Sequence, residues 1–189
     1  MNITQIIEAG LVRRYHTEPI PIIQTNSQHQ WGVAVILLHI AKSGPYVDME
    51  KLRCAALLHD VPERIAGDMP APFKWSNPEI SKMLDVFELE MAKQFDIHHH
   101  VTGLTEEEAS LLKLADYLEA ASFSYSIYRQ GVQFGLQIFH NLYIVLQGQF
   151  AIQSNRKATE FLNTMLQELR GIVSREWTMA HPPLITYES

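Results

Sequence analysis

CAALLHDVPERIAGDMPAPFK, residues 54–74, decides how this chain reads: an apolar helical run stops abruptly at two side chains able to bind a metal, His59 and Asp60. The small residues Cys54, Ala55 and Ala56 let a neighbouring helix approach closely. Pro62 suits the first turn of a new short helix, where its missing N–H costs nothing, and Glu63 projects from that turn. Gly67, Asp68, Pro70 and Pro72 then read as a stiff, turn-rich loop ending at a cation, Lys74. An imidazole, three acids and a lysine in so short a span are the mix that holds a divalent metal beside an anionic substrate.

Working outward, Asp48 caps the helix that ends there, with Leu52, Ala55, Ala56 and His59 at three- and four-residue steps on the core face. Upstream, Ser27 is the expected cap of a helix with Val33, Ala34, Leu37, Leu38 and Ala41 as its apolar stripe and His29 in its first turn; Gly44 and Pro45 end it. Between Leu11 and Asn26, Pro19 and Pro21 forbid regular structure, so Arg13, Arg14, Tyr15 and His16 fall on a loop. A short opening helix places Ile3, Ile6 and Ile7 on one face and stops at Gly10.

Downstream, Asn77-Pro78 opens a helix with Ile80, Met83, Leu84, Phe87, Met91 and Phe95 on one core face. Thr105 to Glu108 is a capping box for a helix running to about Tyr128, with Asp116 in its middle. Segments of about 133–149 and 155–176 read as two further helices, and the tail from His181 as irregular. Strand alternation, internal repeats and a glycine-rich phosphate loop are all missing from the pattern, so the fold class is all-α.

At 189 residues the chain suits one well-buried domain with a single core. Its 47% hydrophobic and 19% charged content is that of an ordinary folded protein. The net charge of −6 and the lack of a Lys/Arg run argue against duplex nucleic acid as a partner, while leaving room for a small anion held by a few cations and a metal. The lone Cys54 forms no internal disulfide, fits a reducing compartment and reads as buried and inert. With no signal-peptide pattern and no stretch long enough to cross a membrane, a cytoplasmic location is expected.

His29, His59, Asp60 and Asp116 offer two imidazoles and two carboxylates from three helices. Asp116 stands out because it lies among Leu112, Leu114, Ala115 and Leu118, where an ionised carboxylate needs a compensating cation. A metal would supply one. The mixed nitrogen and oxygen set suits Zn²⁺, Mn²⁺, Co²⁺ or Fe²⁺, with open positions for water and substrate, and a water held there is acidified towards neutrality. Arg14 and Lys74, on loops flanking this set, are placed to neutralise phosphate oxygens. Blander readings stand beside these: a solvated helix start for His29, a solvated helix end for Asp60, a helix-dipole partner for Glu63, a turn former for Asp68 and a solvated charge for Lys74. His98, His99 and His100 read as a solvated turn that binds metal only adventitiously, and His39, His140 and His181 as packing or surface residues.

The order H…HD…D resembles the HD-domain phosphohydrolases, an all-helical superfamily. HDVPERIAGDMPAPFK and the Arg-Tyr ahead of the first His are similar both to the small bacterial 5′-deoxynucleotidases and to the short phage deoxynucleoside triphosphohydrolases that remove dATP. The similarity covers about residues 10–128; one departure is Gln28, where relatives often carry Glu. The resemblance implies a single HD domain over residues 1–189, with the site within about 13–120. It implies metal ligation by His29, His59, Asp60 and Asp116, with further Mg²⁺ on the phosphates. Glu63 then orients or deprotonates the attacking water, and Asp68 contacts the sugar hydroxyl or a bound water. Arg14, the choice over Arg13, and Lys74 bind phosphate. Tyr15 closes on the deoxyribose or base, with Trp31, Phe73 and Trp75 as rival walls, and a 2′-deoxynucleotide is preferred. VRRYHTEP and QHQWGVAV look closer to the phage enzymes, so cleavage of dATP to deoxyadenosine and triphosphate is the first expectation. A 5′-deoxynucleotidase is the second, and a non-catalytic nucleotide sensor the third. A homo-oligomer is expected, with the helices of about 133–176 packing on the core or forming its face.

Overall fold

The computed structural model describes residues 3–41, 47–149 and 155–170. In chain order it has α1 (Ile3–Ala9), β1 (Arg13–Arg14), β2 (Gln24–Thr25), α2 (Asn26–Ile40), α3 (Met49–Leu58), α4 (Glu63–Ala66), α5 (Ala71–Ser76), α6 (Pro78–Gln94), α7 (His98–Val101), α8 (Glu106–Arg129), α9 (Phe134–Gln149) and α10 (Arg156–Arg170). The architecture is all-α. The strands among the described residues form one small antiparallel ribbon pairing Arg13 with Thr25 and Arg14 with Gln24. Residues 11–26 are therefore not the featureless loop expected: the ribbon pins both ends, and two-residue strands are too short to show an alternation.

The 24-residue α8 is the axis. Leu114, Ala115, Leu118 and Ala121 along it bury against Leu37 of α2, Leu52 of α3, Phe139 and Tyr143 of α9, and Leu162 and Leu166 of α10. Each fully buried leucine contributes about 1.5–3 kcal/mol. Close approach of α9 depends on Gly135, where a Cβ would lie 2.5 Å from the Ser124 carbonyl oxygen. A smaller second cluster joins Ala9, Val61, Met91, Ala92, Phe95 and Ile97, so α1, α6 and α7 have a core of their own in place of the single core expected.

Capping fixes the helix starts. Asp48 accepts from the N–H groups of Glu50 and Lys51, and Thr105 with Glu108 forms the expected capping box. Thr25, not Ser27, caps α2: Gln28 accepts from the Thr25 N–H at 2.9 Å, so the departure at position 28 preserves a capping box.

Other expectations need correction. Leu38 is 54% exposed, because the core face of α2 runs through Val33, Ile36, Leu37 and Ile40. The Met and Phe stripe of α6 is core at Met91 and Phe95, with Phe87 packed against them, while Ile80 and Met83 face solvent. Of the three isoleucines of α1, Ile3 and Ile7 are exposed and Ile6 packs beside the buried Ala9. Cys54 is half-buried rather than fully buried. Phe139 and Tyr143 are core, Phe134 is half-buried, and Phe150, His181 and the tail lie outside the described residues. Among the described residues no helix is long and apolar enough to cross a membrane.

Candidate metal centre and substrate cleft

Three helices meet at one point. The end of α3 delivers His59 as its C-cap, with Asp60 next; the first turn of α2 delivers Asn26 and His29; the middle of α8 delivers Asp116 and Glu119. Metal-competent atoms of His29, His59 and Asp60 all lie within 4.8 Å of one another. His29 Nε2 is 3.5 Å from Asp60 Oδ2 and 3.2 Å from Asp116 Oδ1, and His59 Nε2 is 3.3 Å from Asp60 Oδ1. Asp116 thus approaches from the His29 side, outside the tightest group of three. Its other oxygen is 2.7 Å from Lys113 Nζ, so a lysine supplies part of the cation that its apolar neighbours demand.

The donor set fits a divalent cation. His59 Nδ1 donates to the Ala56 carbonyl at 3.0 Å, and His29 Nδ1 is 2.5 Å from Glu119 Oε2, which leaves each Nε2 as the nitrogen turned towards the acids and the one a metal would take. Both Nε2 atoms are buried without a hydrogen-bond partner among the described residues and are turned towards carboxylate oxygens. Such an arrangement is costly unless something bridges nitrogen and oxygen.

The electrostatics agree. Burial opposes ionisation of Asp60, yet His59, Arg14 and His29 outweigh it and hold the carboxyl below its ordinary range. Burial likewise opposes charge on Asp116, and Lys113 and His29 overcome it, well below the ordinary value. Burial and Arg14 disfavour a proton on His29, but Asp116 and Glu119 win and raise it to about 9, so without a cation a proton sits on Nε2 facing Asp116, in the place a metal would take. Glu63 goes the opposite way: burial, then Asp60 and Asp68, push it up to about 9 against the pull of Arg14 and Asn26.

Against this point opens a cleft of about 270 Å³, near the lower end for small-molecule sites. Arg14, Tyr15, Asp60, Glu63, Asp68, Lys74 and Asp116 all line it. The ribbon's alternation turns Arg14 inward, its Nη1 2.9 Å from Asp60 Oδ2, and leaves Arg13 exposed. Tyr15 sits at φ +55°, a rare conformation for a bulky residue, and stacks on Phe123 at 5.2 Å. Trp75 shares the lining, whereas Trp31 and Phe73 do not. Arg14 lies on a strand and Lys74 on α5, 3.7 Å from Glu88, so neither is on the loop expected. Asp96, His98 and His99 bring ligand atoms together on the α6–α7 turn, but Asp96 and His99 are exposed and none of the three reaches the cleft.

Four residues of the site escaped the sequence reading. Asn26 donates to Glu63 Oε2 at 2.9 Å and to the Asp60 carbonyl at 3.3 Å. Glu119 and Gln24 lie behind His29, and Lys113 beside Asp116 lines the cleft. Only Glu119 left a signal, an acid three residues after Asp116 on the buried face of α8.

The fold is that of the HD phosphohydrolases. The chain superimposes on the cyanophage S-2L HD phosphohydrolase DatZ, bound to dA and one catalytic Zn²⁺ ion, with a TM-score of 0.61 at 17% identity over 90% of this chain and 95% of that one. Within that class it belongs to the YfbR-like 5′-deoxynucleotidase family, whose model matches residues 3–169. It is 31% identical over 125 residues to the 5′-deoxynucleotidase yfbR of Photorhabdus temperata, covering 57% of this chain and 60% of that protein. A 5′-deoxynucleotidase of Vibrio vulnificus is 30% identical over 107 residues, 48% of this chain and 55% of the relative. The alignments thus span about three fifths of these curated relatives.

Proposed function

We propose that this protein is a metal-dependent phosphohydrolase of 2′-deoxynucleotides, built as one HD domain, in which His29, His59, Asp60 and Asp116 hold the metal. The observation that carries it is the pair of buried, unpartnered Nε2 atoms of His29 and His59 facing two ionised carboxylates at the head of a cleft. A divalent cation there, Zn²⁺, Co²⁺, Mn²⁺ or Fe²⁺, supplies a water nucleophile near neutral pH and a Lewis acid for a phosphoryl oxygen, and further Mg²⁺ accompanies the phosphates. Asn26 holds Glu63 in place to orient the attacking water, and a cation bound beside it would draw Glu63 back towards the carboxylate that can take the water's proton. Arg14, Lys74 and Lys113 neutralise phosphate oxygens, Tyr15 walls off the sugar, and Asp68 contacts the sugar hydroxyl or a bound water.

A triphosphate is the favoured substrate, dATP going to deoxyadenosine and triphosphate by attack at the α-phosphorus. Arg14, Lys74 and Lys113 all line the cleft, each beside an acid it could exchange for a phosphate oxygen, which gives a longer phosphate chain three points of contact; DatZ, bound to dA, supports deoxyadenosine as the nucleoside part. The family and its curated relatives favour the second reading, a 5′-deoxynucleotidase acting on a monophosphate at the same site. A non-catalytic sensor, the third, would bind without turnover. Incubation with Co²⁺ or Mn²⁺ and either dATP or dAMP separates them: triphosphate from dATP supports the first, inorganic phosphate from dAMP the second. Tight binding with neither product supports the sensor. The proposal extends to a cytoplasmic location and to a homo-oligomer, the latter supported by exposed Ile80, Met83 and Val86 on α6.

A further inference from the structure

The two histidines of the proposed centre are oriented by different means. His59 Nδ1 donates to the carbonyl of Ala56, a residue of its own helix, at 3.0 Å. Any sequence that forms α3 provides that carbonyl. His29 has no such local partner: its Nδ1 faces Glu119 Oε2 at 2.5 Å, from a helix ninety positions away in sequence. The ring is fully buried, so water cannot replace that contact.

Glu119 is itself held from two sides. Its Oε1 accepts from Gln24 Nε2 at 2.8 Å, and Gln24 is 3% exposed. Gly32, one turn beyond His29 on α2, leaves open the space its carboxylate arm fills: a Cβ there would lie 2.7 Å from Glu119 Cγ and 3.0 Å from Oε1. Gln24 pairs in the ribbon with Arg14, the residue that reaches Asp60. One chain of contacts therefore runs from the arm carrying Arg14 and Tyr15, through Gln24 and Glu119, to the His29 ring.

Resting on the metal-site reading above, we infer that Glu119, backed by Gln24 and admitted by Gly32, is a positioning residue for the metal. It holds His29 with the proton on Nδ1 and the Nε2 lone pair aimed at Asp60 and Asp116. A ligating imidazole whose second nitrogen donates to a carboxylate is fixed in tautomer and made more basic, and loss of such a partner costs about 10–100-fold in metal affinity. A carboxylate that merely joined α2 to α8 would affect stability and leave metal affinity alone.

The test is titration of metal-free full-length protein with Co²⁺, followed by visible absorption and calorimetry. Glu119→Gln, equal in size, is expected to weaken Co²⁺ binding about tenfold or more, with the far-UV spectrum of the metal-free protein unchanged. Gly32→Ala, which displaces Glu119 from outside, is expected to act in the same direction and serves if Glu119→Gln does not fold. Glu108→Gln, a buried carboxylate on the same α8 about 16 Å along its axis, leaves affinity at the wild-type value. His29→Ala separates the two claims. Loss of binding in His29→Ala with wild-type affinity in Glu119→Gln or Gly32→Ala overturns the positioning role; wild-type affinity in His29→Ala overturns the metal-site reading beneath it.

Discussion

Glu63 and Glu108 are both buried, at 5% and 3% exposure, and the protein treats them in opposite ways. Glu108 meets donors. It accepts from the N–H groups of Thr105 at 2.8 Å and Asp48 at 2.9 Å and from Lys51 Nζ at 3.2 Å, and these hold its carboxyl down to about 2. Among the described residues Glu63 has Asn26 as its one side-chain donor and sits beside Asp60 and Asp68, so burial and like charge raise it to about 9. The first ties the start of α8 to the start of α3. The second is a proton-holding group beside a cleft, and its perturbation marks chemistry where that of Glu108 marks structure.

The contrast breaks if the two residues respond alike to substitution. Glu63→Gln is expected to lower deoxynucleotide turnover by about 10²–10⁴ while Co²⁺ affinity and melting temperature stay close to wild type. Steady-state kinetics with calorimetry checks this, and Glu108→Gln should leave turnover nearly untouched. Glu108→Ala strands the N–H groups of Asp48 and Thr105 and is expected to cost about 2 kcal/mol, a fall in Tm of roughly 4–8 °C by thermal unfolding.

Acid sharpens the comparison. Because the folded-state value of Glu108 lies below its ordinary 4.5, its contribution is fully present above that pH and is lost as pH falls towards about 2. The stability gap between wild type and Glu108→Gln should therefore close over that window in pH-dependent denaturation. A gap that widens with acid would contradict the donor count. Smallest is Lys113→Ala, expected to raise KM several-fold, more for dATP than for dAMP, with the difference shrinking as salt screens the charge.

Much of this was legible in the sequence because local rules decided it. The Thr105–Glu108 capping box, the helix ending at His59-Asp60 and the turn bearing Glu63 follow from residues close in the chain. Pro70 and Pro72 read in the sequence as breakers that put Lys74 on a loop, yet in the fold they open α5, where a first-turn proline is welcome. Ile80 and Met83 keep a helical period without a partner, which periodicity alone does not reveal. The Arg14–Gln24 pairing and the Glu119–His29 bond join residues far apart in sequence with no spacing rule between them, so they had to be seen in three dimensions.

A crystal soaked in Zn²⁺ and measured at the zinc absorption edge tests the central claim most directly. The account predicts a strong anomalous peak bonded to Nε2 of His29 and of His59 and to oxygens of Asp60 and Asp116. A peak confined to Asp96, His98 and His99, with the point between α2, α3 and α8 bare, would contradict it.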